Sequence, residues 1–246
     1  MKNKLLNFIF LLLFCISPNI GAQQTVIADD GWKRELPDRT VSRLQGYEEE
    51  ARLNPPPQEA VVFAGSATPS GWDLDRWFPE FTTLKRAYGG SMIDENTYLA
   101  KRAVIPHNPS TIVLYAGEND IHLGKTPELT LQHFKEYVAT IKTALPNTQL
   151  IYITMKPSIL WWDDYEDMKV ANALIESYIS GEDYVYFVDT FKLMIDQNGE
   201  PRRDYLGGDD LHLTDLGYEV WTAAVSPVIK AAESNYQMLK RISNAH

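Results

Sequence analysis

From residue 60 onward, short apolar runs rich in β-branched residues alternate with stretches long enough for helices, and this alternation limits the possible folds more than any other feature. The runs fall at 60–64, 84–88, 111–115, 150–154 and 184–188. Between the third and fourth, "TPELTLQHFKEYVATIKTAL" carries Leu131, Phe134, Val138, Ile141 and Leu145 at three- and four-residue steps. Thr126 is placed to cap that helix and Pro127 suits its first turn, while Pro146 stops it. A last helix is expected from Thr214, with Tyr218, Trp221, Val225, Val228 and Ile229 on its apolar face. Five strands separated by helices predict a parallel sheet covered on both faces, because parallel neighbours need long, right-handed crossovers. Ligands of such sheets bind beyond the carboxyl ends of the strands, so the strand-end loops are where chemistry is sought.

The first run ends in "VVFAGSATPSGW", residues 61–72, a tight loop of small residues. It lacks both Gly-Lys-Ser/Thr and G-x-G-x-x-G, so no nucleotide phosphate site is expected. After the second run comes "AYGGS", where Gly89 and Gly90 permit close backbone approach or positive φ, or simply form a turn. After the third, "AGEND" places Asn119 either to cap its turn or to aim an amide into the crevice. Near the C-terminus, "GGDDLHLTDLGY" sets Asp209 three residues before His212. That spacing lets a carboxylate accept the Nδ1–H and leaves Nε2 free as a base, although Asp210 is an alternative partner and His212 could be a plain surface residue. After the fourth run, "SILWWDDYEDM" offers Trp161 and Trp162 either as sugar-stacking rings or as packing for the next helix. The remaining histidines show no ligand spacing, so no metal and no other cofactor is expected.

A chain of 246 residues with 44% hydrophobic content suits one domain plus an appendage. Residues 1–22 read as a secretory signal: Lys2 and Lys4 precede an apolar run at 5–16 too short to span a bilayer, and Gly21-Ala22 offers a cleavage site. Phe14 before Cys15 argues against lipidation, and cleavage after Ala22 leaves no cysteine for a disulfide, thiolate or metal site. The mature chain is therefore expected outside the cytoplasm, periplasmic or extracellular, with no membrane span. Residues 23–58 are polar, contain a short amphipathic helix through Val41, Leu44 and Tyr47 with a solvated Glu48-Glu49-Glu50, and end in Pro55-Pro56-Pro57 before a domain at 59–246. A net charge of −10 without a basic stripe excludes nucleic acid as a partner.

In order and spacing, "FAGSATPSGW", "AYGGS", "LYAGEND" and "DDLH" resemble the blocks of the SGNH, or GDSL-type, hydrolases. The likeness runs from about Pro55 to about Val228 and includes "KPS" at 156–158 and "DLGYEVW" at 215–221. It implies a flavodoxin-like three-layer α/β/α fold, a five-stranded parallel sheet in the order 2-1-3-4-5, and hydrolysis of carboxylic esters. The expected substrate is a small-molecule ester, or a carbohydrate ester where Trp161 and Trp162 stack on a sugar face. The family's serine attacks the carbonyl, His212 takes its proton and Asp209 orients the ring. The N–H groups at Ala67 and Gly90 and the Asn119 amide would hold the oxyanion, each such donor contributing ~3 kcal/mol.

At one position the chain departs from the pattern. The series Phe63-Ala64-Gly65-Ser66-Ala67 puts alanine where the serine belongs. Three readings follow: an esterase inactivated by a single exchange, a natural ligand-binding pseudoenzyme on the same scaffold, or replacement of the nucleophile by Ser66 or Thr68. The last conflicts with geometry, because neighbouring side chains at a strand end point in opposite directions. Retention of an oriented base weighs against a pure binder. Loss of the nucleophile costs ~10⁶ in turnover, so the chain as it stands is expected to be inactive or nearly so.

Overall fold

A computed structural model describes residues 35–245, and the leader expected at 1–22 lies outside the described residues. Five parallel strands, β1 (Val61–Gly65), β2 (Thr83–Ala87), β3 (Thr111–Tyr115), β4 (Gln149–Ile153) and β5 (Val185–Val188), form one sheet in the order β2-β1-β3-β4-β5. Each boundary lies within one residue of the apolar run that predicted it. Gly65 at the end of β1 sits opposite Ala87 on one side and Tyr115 on the other, so three strands end level with one another. That common edge is the floor from which the loops carrying Ala67, Gly90 and Asn119 rise.

The helices are α1 (Asp38–Leu53), α2 (Ala67–Gly71), α3 (Leu74–Trp77), α4 (Ile93–Leu99), α5 (Glu118–His122), α6 (Pro127–Ala144), α7 (Tyr165–Ile179) and α8 (Asp215–Asn244). Alternate strand residues feed two separate cores. Val62, Ala64, Ile112, Leu114, Leu150 and Tyr152 pack under α4, α6 and α7. Val61, Phe63, Val113, Tyr115, Ile151 and Ile153 face Trp72, Phe78 and the Trp221, Val225 and Ile229 stripe of α8. The sheet is thus the middle of three layers.

Local signals start and stop these helices. Thr126 accepts from the Leu129 N–H at the head of α6, and Thr214 accepts from the Gly217 N–H at the head of α8. Helix α8 is 30 residues long and continues through Pro227. Among the described residues no helix is long and apolar enough to cross a membrane.

Helix α1 spans 16 residues and covers the open edge of the sheet beside β2. Its Tyr47 hydroxyl donates to the Ala87 carbonyl at 2.8 Å, occupying an edge group that would otherwise invite another strand. All three acidic residues expected to be merely solvated reach partners: Glu48 pairs with Arg102 at 2.6 Å, Glu49 with Arg52 on the exposed face at 2.7 Å, and Glu50 with the buried Arg86 at 3.3 Å.

Candidate active site

The turn out of β1 is built for a residue without a side chain. Gly65 has φ of +120°, and a Cβ there would lie 1.9 Å from the Tyr115 carbonyl oxygen. Ser66 then donates its N–H to that oxygen at 2.9 Å, and Ala67 becomes the first residue of α2. Lys85 Nζ secures the far end of α2 through the Ser70 and Trp72 carbonyls at 3.0 and 2.6 Å. Beside Ala67, the Ser66 and Thr68 hydroxyls are both buried and make no hydrogen bond among the described residues. Both oxygens are shut off from solvent.

Three strand-end loops interlock around this point. A Cβ built on Gly89 would stand 3.8 Å from the Ala67 Cβ, which puts the double-glycine turn directly against residue 67. Tyr88 N–H and Ser91 Oγ–H both donate to the Gly65 carbonyl, at 3.0 and 2.9 Å. From the third loop, the Asn119 amide donates to the Ser91 carbonyl at 3.1 Å. A primary amide carries two N–H donors, and this bond uses one.

Asn119 owes its place to a buried foundation. Gly117, at φ +122°, turns the chain into α5, and Glu118 at the head of that helix accepts from Lys156 Nζ at 3.1 Å and from the Tyr115 hydroxyl. Burial and the neighbouring Glu118 carboxylate push the Tyr115 phenol well above its ordinary pKa. Asp120 faces elsewhere: its carboxylate accepts the Ile93 N–H at the start of α4 and pairs with Lys125.

The sequence pair near the C-terminus forms as a dyad. His212 Nδ1 and Asp209 Oδ2 are 2.5 Å apart, and Asp209 Oδ1 accepts the Leu211 and His212 backbone N–H groups at 3.1 and 3.0 Å. These donors, the imidazole first, hold the Asp209 carboxyl well below its ordinary pKa. An ionised carboxylate can only accept, so Nδ1 carries the proton, and in the neutral imidazole the lone pair is then on Nε2. Asp210 is not the partner: it adopts φ +58°, its carbonyl accepts the Ile159 and Leu160 N–H groups at 3.1 Å each, and its carboxylate pairs with Arg203. The dyad is open, with His212 and Asp209 side chains 50% and 52% exposed. Tyr218, just beyond it on α8, donates to the Thr68 carbonyl at 3.0 Å and so links the dyad's segment to the helix that begins at Ala67.

Trp161 and Trp162 take different environments. Trp161 stacks at 4.1 Å and 15° on His122, whose Nδ1 is 2.7 Å from Asp164, and its ring also packs against the α6–α7 core. Trp162 is 37% exposed and lies 4.3 Å from the Tyr165 ring. Of the two, Trp162 is the more exposed. A cluster that sequence spacing did not reveal brings ligand atoms of Asp94, Asp120 and His133 within 4.8 Å of one another. Lys125 Nζ contacts all three, at 3.1, 2.9 and 3.4 Å, so an ammonium already supplies the positive charge there.

Residues 33–220 match the GDSL-like Lipase/Acylhydrolase family. The fold is similar to that of a proposed acylhydrolase from Bacteroides fragilis, with a TM-score of 0.70 and 22% identity over 80% of this chain and 100% of that one. A GDSL-like lipase from Bacteroides thetaiotaomicron superposes with a TM-score of 0.67 and 22% identity, covering 77% of this chain and 99% of that one. A family 3 carbohydrate esterase from Clostridium thermocellum gives 0.55 and 19%, covering 70% and 98%. No curated protein matches the chain. The loops that meet at residue 67 and the paired Asp209 and His212 thus stand on a chain that belongs to the GDSL-like lipase/acylhydrolase family.

Proposed function

We propose that this chain is a carboxylic-ester hydrolase scaffold of the Ser-His-Asp kind whose nucleophile position holds Ala67, leaving it inactive or nearly so. The observation that carries the reading is the intact His212–Asp209 dyad at 2.5 Å, since a base with its tautomer set has work only where a proton must be removed. In the serine form, His212 Nε2 would take the hydroxyl proton as the oxygen attacks the ester carbonyl, then return it to the leaving alcohol. The Ala67 and Gly90 N–H groups and the Asn119 amide would receive the oxyanion. A backbone N–H does not depend on its side chain, so Ala67 removes the attacking oxygen and spares the donors.

The open dyad and the exposed ring of Trp162 support an acylated carbohydrate as substrate, the sugar covering what the protein leaves wet. Residues 1–22 support export, which would place the enzyme among such polymers. The deciding experiment is Ala67→Ser assayed on 4-nitrophenyl acetate. Turnover should rise by up to ~10⁶, and adding His212→Ala should remove the gain. A serine form inert toward short acyl esters would overturn this reading in favour of a non-catalytic binding protein.

A further inference from the structure

The turn at Gly89–Gly90–Ser91 has little means of holding its own shape. Glycine lacks the Cβ that narrows backbone freedom, and Gly90 sits at φ +78°. Ser91 is held by Gly65 and Asn119, but the restraint on Gly90 itself comes from α1, outside every strand-end loop. Arg39 Nη2 donates to the Gly90 carbonyl at 3.2 Å and to Glu95 Oε1 at 2.8 Å. Glu95, itself buried, accepts on its other oxygen from the Tyr88 hydroxyl at 2.8 Å and the Met92 N–H at 3.3 Å. Thr40, the next residue of α1, bonds the same Tyr88 hydroxyl at 2.8 Å. The entry, middle and exit of the turn are therefore all tied to one guanidinium–carboxylate pair.

We infer that Arg39 is a positioning residue, which sets the direction of the Gly90 N–H by holding the Gly90 carbonyl. Peptide units are rigid planes, and the two planes that meet at Gly90 are related only by its φ and ψ. With the carbonyl plane held through Arg39 and Ser91, and the chain before the turn held by the Tyr88 N–H bond to Gly65, the φ and ψ left to Gly90 are confined to those that keep both ends in place, which narrows the directions open to its N–H. The Arg39 Nε lies 3.8 Å from where a Gly90 Cβ would stand, so the guanidinium rests against the turn without crowding it. Nor is Arg39 needed to attach α1, which is held separately by buried Leu44, by the Tyr47 bond to Ala87, and by the Glu48–Arg102 and Glu50–Arg86 pairs. The importance of this clamp for catalysis rests on the donor role proposed for Gly90; the ordering of the turn does not.

The test joins two readouts. ¹⁵N relaxation on the chain with Ala67 reports the order of residues 89–91, and kcat with KM on the Ala67→Ser form reports catalysis. In Arg39→Gln, the amide order parameters of the turn should fall from about 0.85 to below about 0.6 while β1 and β3 stay rigid. In the serine form, the same change should lower kcat by ~10-fold or more with KM within about twofold, a fraction of the 10²–10³ that loss of a whole donor costs. Arg39→Lys, which keeps a cation with several N–H donors but on a shorter stem without the fixed planar geometry, should recover part of both and serves as the probe if the glutamine variant fails to fold. Glu48→Gln, which breaks an ion pair of α1 remote from the turn, should move neither readout. A turn that stays equally ordered in Arg39→Gln, or a kcat unchanged despite a loosened turn, overturns the inference. A loosened turn in a chain whose serine form hydrolyses nothing would support the clamp and refute the esterase reading.

Discussion

Lys156 Nζ lies 3.1 Å from Glu118 Oε2 with the two side chains only 1% and 4% exposed, an ion pair buried directly beneath the helix that presents Asn119. Such a pair is costly to break from one side, because the remaining charge is left buried without a countercharge. Lys156→Met should destabilise the fold by ~3–5 kcal/mol in urea unfolding. Adding Glu118→Gln, which removes the stranded charge and keeps an acceptor for Tyr115, should recover most of that loss. Equal losses in the single and double variants would show that packing, and not charge, sets the cost.

Two glycines with nearly the same backbone angle should respond differently to a methyl group. Gly65 and Gly117 have φ of +120° and +122°. At Gly65 the new Cβ would meet a β3 carbonyl at 1.9 Å, while at Gly117 it would meet the Met155 sulfur at 2.8 Å. Backbone in a ladder cannot move aside, but a thioether on a flexible stem can. Gly65→Ala should cost more than ~4 kcal/mol or prevent folding, and Gly117→Ala about 1–3 kcal/mol, as measured by chemical denaturation.

Within the serine form, the proposed roles carry distinct magnitudes. Asp209→Asn should lower kcat by ~10⁴ by releasing the imidazole tautomer, with the fold intact. Asn119→Ala should lower it by 10²–10³, about one oxyanion donor, with little change in KM. Steady-state kinetics on an aryl acetate separates the two, and an Asn119→Ala variant as active as its parent would remove that amide from the site.

Glu95 gives a pH signature of stability. Burial raises its pKa above the ordinary 4.5, outweighing the Tyr88 hydroxyl, the Arg39 charge and the Met92 N–H that favour the anion. A carboxyl that binds its proton more readily when folded adds stability below about 4.5, and that contribution drains away as pH rises through the native value. The thermal midpoint of the parent should therefore decline across this window relative to Glu95→Gln, which cannot titrate. Parallel pH profiles for the two proteins would contradict the raised value.

The amino-acid sequence by itself determined the layers and the chemistry-bearing blocks. Runs such as 111–115 and the stepped face of α6 state their secondary structure locally, through side-chain period and capping residues, and the spacing of Asp209 and His212 encodes their bond within one turn. The identity of residue 67 was equally legible, because the atoms of a side chain are a property of the residue alone. What only the tertiary structure decided are contacts between segments far apart in the chain. Arg39 reaches Gly90 across 51 positions, and Lys156 reaches Glu118 across 38. Neither partnership leaves a local pattern, since a charged residue on a helix or in a loop reads the same whether it meets water or a buried partner. The choice of Asp209 over Asp210 and the loss of one face of Trp161 to His122 were settled in the same way, by which surfaces folding brought together.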